Sequence, residues 1–134
     1  MIGILVLTHE DLGDHMIRCA SHVVGMKPPQ LLYLSVFPQD DPDSILTRAR
    51  ALIKQLDSGD GVLVLSDICG ATPCNIASRL TQPGKVECIA GVNLPMLVRV
   101  LTYRNEPLPV VIEKGLSGGR CGVMHIGAEP CHAD

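Results

Sequence analysis

The chain has 134 residues, 46% of them hydrophobic, and a formal net charge of −3, which suits one domain with a substantial core. Weak acidity, one Phe, two Tyr and no Trp argue against nucleic acid, which calls for basic patches and stacking platforms. No apolar run reaches the length of a membrane span, and Met1 leads straight into strand-like sequence, so neither anchor nor signal peptide is read and a cytoplasmic setting is expected.

Residues 2–7 form a short apolar run of the kind buried on both faces of a parallel sheet, ending at Thr8-His9-Glu10. From Asp11, the positions Leu12, Met16, Cys19, Ala20, Val23 and Val24 follow helical spacing, and Gly25 suits the closing cap. His15, Arg18 and His22 lie on the opposite face and read as a solvated stripe. After the Pro28-Pro29 break, residues 31–36 are a second strand. Residues 37–41 are a loop, with Asp41 as cap and Pro42 in the first turn of a helix that buries Ile45, Ala49, Leu52, Ile53 and Leu56.

Residues 58–61 close that helix and open the third strand, residues 62–65, which stops at Ser66-Asp67. Gly70 loosens the backbone, and Thr72-Pro73 reads as N-cap and first residue of a third helix. Pro83-Gly84 turns into a fourth strand, residues 86–90, and Asn93-Leu-Pro95 opens a fourth helix ending about Tyr103. The β-α order predicts an α/β fold: an open, mainly parallel, doubly wound sheet in the order 2-1-3-4 with helices on both faces.

The last quarter is less regular. Residues 108–114 fit a short helix or a strand, residues 115–119 read as flexible, and residues 122–126 alternate like a closing edge strand. Residues 127–134 read as a loose tail, and the whole of 1–134 as a single domain.

In that strand order the first and third strands are neighbours, so Thr8-His9 and Ser66-Asp67 meet at the carboxyl edge of the sheet, where open α/β sheets bind ligands. Neither pair serves packing, since each interrupts an apolar strand as it leaves the core. A carboxylate facing a histidine fixes its tautomer and leaves the other ring nitrogen free as nucleophile, base or metal ligand. The neighbouring helix N-terminus turns the choice toward phosphorus, because its amides and the Thr72 hydroxyl suit the spread charge of phosphoryl transfer, and no metal or cofactor is required. No G-x-G-x-x-G follows the first strand, no G-x-x-x-x-G-K-[ST] is present, and Ser66 is not in a G-x-S-x-G elbow.

Of the six cysteines, Cys19, Cys74 and Cys88 fall in apolar-patterned elements, and reduced thiols are expected throughout. Cys69 and Cys74 flank the loop after the third strand. Cys121, His125, Cys131 and His132 gather near the end, but Cys-x9-Cys-His lacks the paired short spacing of a zinc site, and unligated side chains are expected.

These residues resemble a family: the IIA domain of the mannose-type (mannose/fructose/sorbose) bacterial sugar phosphotransferase system. The resemblance is carried by Ile4-Leu-Val-Leu-Thr-His9, by Gly61-Val-Leu-Val-Leu-Ser-Asp67 with Gly70-Ala-Thr-Pro-Cys-Asn75, and by Ala90-Gly-Val-Asn-Leu-Pro-Met96. It implies that His9 takes a phosphoryl group from the phosphocarrier HPr and passes it to a IIB protein, for sugar uptake through membrane IIC and IID partners. It implies that Asp67 orients His9 and that Gly70, Ala71 and Thr72 lie over the phosphoryl group. It also implies a homodimer in which a C-terminal strand is exchanged. Glu10 departs from the small residue usual after the active histidine: a carboxylate there repels phosphohistidine or faces a basic partner. Ala71 and Thr72 replace the usual glycine and serine. The alternatives are a stand-alone regulatory phosphoprotein using the same His9 chemistry and the phosphoryl-donor subunit of dihydroxyacetone kinase, which shares the fold; a metal-binding module trails them.

Overall fold

The computed structural model describes residues 1–127. Along the chain run β1 (Gly3–His9), α1 (Leu12–Val24), β2 (Leu31–Val36), α2 (Pro42–Leu56), β3 (Val62–Ser66), α3 (Thr72–Leu80), β4 (Val86–Ala90), α4 (Leu94–Tyr103) and α5 (Leu108–Cys121). The four strands form one parallel sheet in the order β2-β1-β3-β4, as the β-α alternation predicts.

Period-two alternation splits the sheet residues between two cores. Ile4 and Val6 of β1, with Leu63, Leu65 and Ile89, pack on Ile17 and Ala20 of α1, on Leu97 and Val100 of α4 and on Val111 of α5. Leu5 and Leu7, with Val62, Val64 and Val86, pack on Ile45 and Ala49 of α2 and on Ile76 and Leu80 of α3. Helices therefore cover both faces, α1, α4 and α5 on one and α2 and α3 on the other. The chain leaves β1 toward one face and β3 toward the other, which opens a crevice between them at their carboxyl ends.

The final element is one helix, where the sequence allows a strand followed by a flexible loop. The glycines that suggest flexibility are there for close approach: an added Cβ at Gly118 would come 2.7 Å from Arg99 Cβ, and at Gly119 2.7 Å from Met96 Cε. At Gly122 it would run into the Pro95 ring. α5 can lie against α4 because this face has no side chains. The edge strand expected over residues 122–126 does not form in the single chain; Val123, Met124 and Ile126 are exposed there. Residues 128–134, including most of the expected tail, lie outside the described residues.

At the amino end of the sheet Arg104, just after α4, turns inward and is buried. Its guanidinium donates to the carbonyls of Ile2 (Nε 3.1 Å, Nη2 2.8 Å), Pro29 (2.6 Å) and Gln30 (2.6 Å). Burial pushes its pKa down to about 10. No helix among the described residues is long and apolar enough to cross a membrane.

Candidate functional site

The site grows out of the ladder between β1 and β3. The last paired rung sets Leu7 against Ser66. β3 ends there, and the Asp67 carboxylate takes the place of the next carbonyl: its Oδ2 accepts the His9 amide at 3.0 Å. The same oxygen lies 2.8 Å from His9 Nδ1, while Oδ1 accepts the Ile68 amide at 2.9 Å. On the other side of β1, Val36 of β2 faces His9, and its carbonyl accepts the Glu10 amide at 2.9 Å. His9 is therefore held through its backbone from one side and through both backbone and ring from the other.

An ionised carboxylate can only accept, so Nδ1 carries the ring proton and Nε2 of the neutral ring keeps its lone pair. Burial alone would raise the Asp67 carboxyl, but bonds from the His9 amide, the His9 ring and the Ile68 amide outweigh it and hold the group below its ordinary value. The His9 side chain remains 48% exposed, whereas that of Asp67 is only 11% exposed. A covered carboxylate thus grips an open imidazole.

His9 follows the parity of Leu5 and Leu7 and so faces the α2–α3 side of the sheet. It opens onto a cleft of about 540 Å³ lined also by Glu10, Phe37, Asp40, Pro42 and Thr72. Pro42 and Thr72 are the first residues of α2 and α3, so two helix N-termini border the cleft, an electrostatic setting that favours an anion. Both caps differ from the expectation. Asp41 makes no side-chain cap, its carboxylate instead accepting the Ser44 hydroxyl at 3.1 Å. The N-cap of α3 is Ala71, one residue before Thr72, because the left-handed Gly70 (φ +87°) turns the chain into the helix early. A methyl cannot cap, so no side chain covers the amides of that first turn.

Of the three loop residues expected over a phosphoryl group, Thr72 lines the cleft; Gly70 and Ala71 are not among its lining residues. Asn75 and Ser78 are exposed on α3, with the Ser78 hydroxyl donating to the Asn75 carbonyl at 2.8 Å.

Sequence reasoning missed two supports. Thr8 is fully buried: its hydroxyl oxygen accepts the Gly13 amide at 2.8 Å, starting α1 in place of the uncapped Asp11. The signal was a polar residue inside an apolar strand, five positions before a helical glycine. Glu10 takes φ +44°, a left-handed turn that lifts the chain away from His9 into α1.

Cys121 is disulfide-bonded, which corrects the expectation of reduced thiols throughout. Cys19, Cys69, Cys74 and Cys88 are free thiols. Among the described residues no group of three or more His, Cys, Asp or Glu could hold a metal ion; Cys131 and His132 lie outside them.

Residues 3–109 match the model of the mannose-type EIIA family, described as the PTS system fructose IIA component. The chain is 30% identical over 132 residues to the PTS system mannose-specific EIIAB component of Escherichia coli K12, covering 96% of this chain and 41% of that protein. The chain thus spans less than half the length of that relative. It is 28% identical over 107 residues to the PTS system fructose-specific EIIA component of Bacillus subtilis, covering 79% of this chain and 73% of the relative. Among solved structures, the mannose/sorbose specific IIA subunit from Enterococcus faecalis superposes with a TM-score of 0.83 at 20% identity, covering 98% of each chain. The phosphotransferase system component EIIA from Streptococcus agalactiae gives 0.83 at 20% identity, covering 93% of this chain and 97% of that one. With the strand order and the site at its carboxyl edge, these matches place the chain in the mannose-type IIA family of the phosphotransferase system.

Proposed function

We propose that His9 is a phosphoryl relay: it accepts a phosphoryl group from the phosphocarrier HPr and hands it to a IIB protein of a sugar phosphotransferase system. The observation that carries this reading is the 2.8 Å pairing of His9 Nδ1 with a covered Asp67, which leaves Nε2 as the free nucleophile on an exposed ring. Nε2 attacks the phosphorus of the donor phosphohistidine in line; the N–P bond to the donor breaks as the new one forms. The ring gains positive charge as it attacks, and the Asp67 carboxylate, already hydrogen-bonded to Nδ1–H, stabilises it without moving. The first-turn amides of α3 and the Thr72 hydroxyl at the cleft wall are the donors proposed for the phosphoryl oxygens, with Gly70 and Ala71 shaping the approach. Transfer to the acceptor is the same displacement run outward.

The partners in this reading are HPr, a IIB protein and a second copy of the chain. The exposed Val123, Met124 and Ile126 support the last, since an exchanged strand would cover them.

Incubation with phosphorylated HPr should place acid-labile label on the wild-type protein and none on His9→Ala. Label retained by His9→Ala would overturn the assignment of the nucleophile. Label that passes to a dihydroxyacetone kinase core and to no IIB protein would overturn the acceptor.

A further inference from the structure

Sites that hold a phosphate firmly set Arg or Lys against it, whose fixed positive charge matches the anion. Among the described residues no Lys or Arg lines the cleft at His9, whereas two carboxylates, Glu10 and Asp40, do. Glu10 directly follows the nucleophile, is exposed, and takes the left-handed φ of +44°, which glycine would adopt without steric cost. Among the described residues its carboxylate makes no hydrogen bond and no ion pair. Asp40 is anchored: its Oδ2 accepts the Phe37 amide at 2.8 Å. It too has no ion-pair partner among the described residues.

The attraction that opposes these charges is smaller. A helix N-terminus carries about half an elementary positive charge. At α2 it is already met by Asp41 at the N-cap, while Asp43 in the first turn is balanced by Arg79, 3.6 Å away. The first turn of α3 has no acidic residue and no side-chain cap, so its amides stay available to an anion. Asp67 is balanced by the ring it grips. About half a positive charge therefore stands against two full negative ones.

We propose that Glu10 and Asp40 set the transfer potential of phosphorylated His9: they repel the phosphoryl group once it has arrived, so that it is passed on and not stored. The inference rests on the reading of His9 as phosphoacceptor. In the transfer the N–P bond to the donor breaks as the bond to His9 Nε2 forms, and the two proteins together gain and lose no atom. What changes is where the phosphoryl group lies, with its charge of about −2. It moves from the donor into a cleft that already holds two uncompensated carboxylates. They take no part in making or breaking bonds; they raise the free energy of the charged product through the field. A chain that kept the group as a lasting signal would need the reverse, a cation beside it.

The test is the equilibrium partition of label between HPr and this protein, with both dilute enough to be mostly free. Docking then cancels, because only the phosphorylated and unphosphorylated forms of each free protein enter the constant. Glu10→Gln keeps the length of the side chain, and Asp40→Asn keeps an oxygen for the Phe37 amide. Each should shift the partition about fivefold toward phosphorylated His9 at low salt, as for charges that face each other through water. The double variant should shift it further. Both shifts should fade in 1 M NaCl, where the screening length is about 3 Å. Glu113→Gln makes the same charge change on the exposed side of α5, across the sheet, and should leave the partition at the wild-type value. A partition unchanged in Glu10→Gln or in Asp40→Asn, or moved toward HPr, overturns the proposal and leaves the relay standing. So does a shift that 1 M salt does not diminish, or one that Glu113→Gln reproduces. Absence of label from wild-type His9 overturns the relay itself, and the proposal with it.

Discussion

The two ends of the sheet solve the same problem with opposite results. At each end a charged side chain reaches past the last strand residues and takes over backbone hydrogen bonds. Arg104 at the amino end is buried and commits its donors to three carbonyls from two segments of the chain. Asp67 at the carboxyl end accepts two amides and a ring N–H, but its partner His9 is 48% exposed and keeps one nitrogen uncommitted. A group whose partners are saturated and covered is structural; a saturated group that leaves its partner one open valence makes a site. The difference lies in what remains unpaired.

That contrast predicts which changes cost function and which cost stability. The largest effect is expected for Asp67→Asn. It keeps the shape but can present an N–H to Nδ1 and no longer offsets the ring charge, so the rate of labelling by phosphorylated HPr should fall about 100- to 1,000-fold. A rate within a few-fold of wild type would make Asp67 structural, like Arg104. Next is Arg104→Met, which fills the space but removes the donors to the Ile2, Pro29 and Gln30 carbonyls, of which Gln30 keeps the Ile4 amide. Urea unfolding should show a loss of about 3 kcal/mol, with the labelling rate of folded protein unchanged. Loss of labelling at full stability would show that the two ends are coupled.

Asp67 should also be visible in the pH dependence of stability. Its folded pKa lies below the unfolded value of about 3.9. The stabilisation is therefore fully present above that pH and is lost as pH falls through the lower, folded value. The stability difference between wild type and Asp67→Asn, measured by thermal unfolding, should shrink as pH falls below about 4. A difference that grew as pH fell below about 4 would reverse the sign. The smallest effect is expected for Glu10→Gly: relief of the left-handed conformation at φ +44° should stabilise the protein by about 1 kcal/mol. The same substitution removes a charge from the cleft, so faster labelling would mean that Glu10 repels the phosphoryl group, and slower labelling that it receives a basic donor.

How much of this is legible in the sequence depends on whether a signal is local. The strand order and the meeting of His9 with Asp67 follow from apolar runs that stop abruptly at polar residues, a pattern that core packing alone does not produce. Arg104 is invisible to such reading, because an arginine next to Asn105 in a polar turn looks like surface until three distant carbonyls converge on it. The glycines of α5 mislead for the same reason: locally they mean freedom, and only the face of α4 makes them a requirement for close approach. Thr72 reads as the cap because threonine caps well, yet the left-handed Gly70 brings Ala71 to that position. The disulfide at Cys121 leaves no mark in a hydropathy pattern.

The single unsatisfied nitrogen on His9 has a consequence for traffic. In the proposed relay, with Nδ1 pinned from behind, there is one doorway, and whichever protein delivers and whichever collects must stand in it by turns. They compete for the same threshold, so an idle molecule of either kind is an obstacle to the other, and throughput is greatest when both visits are brief.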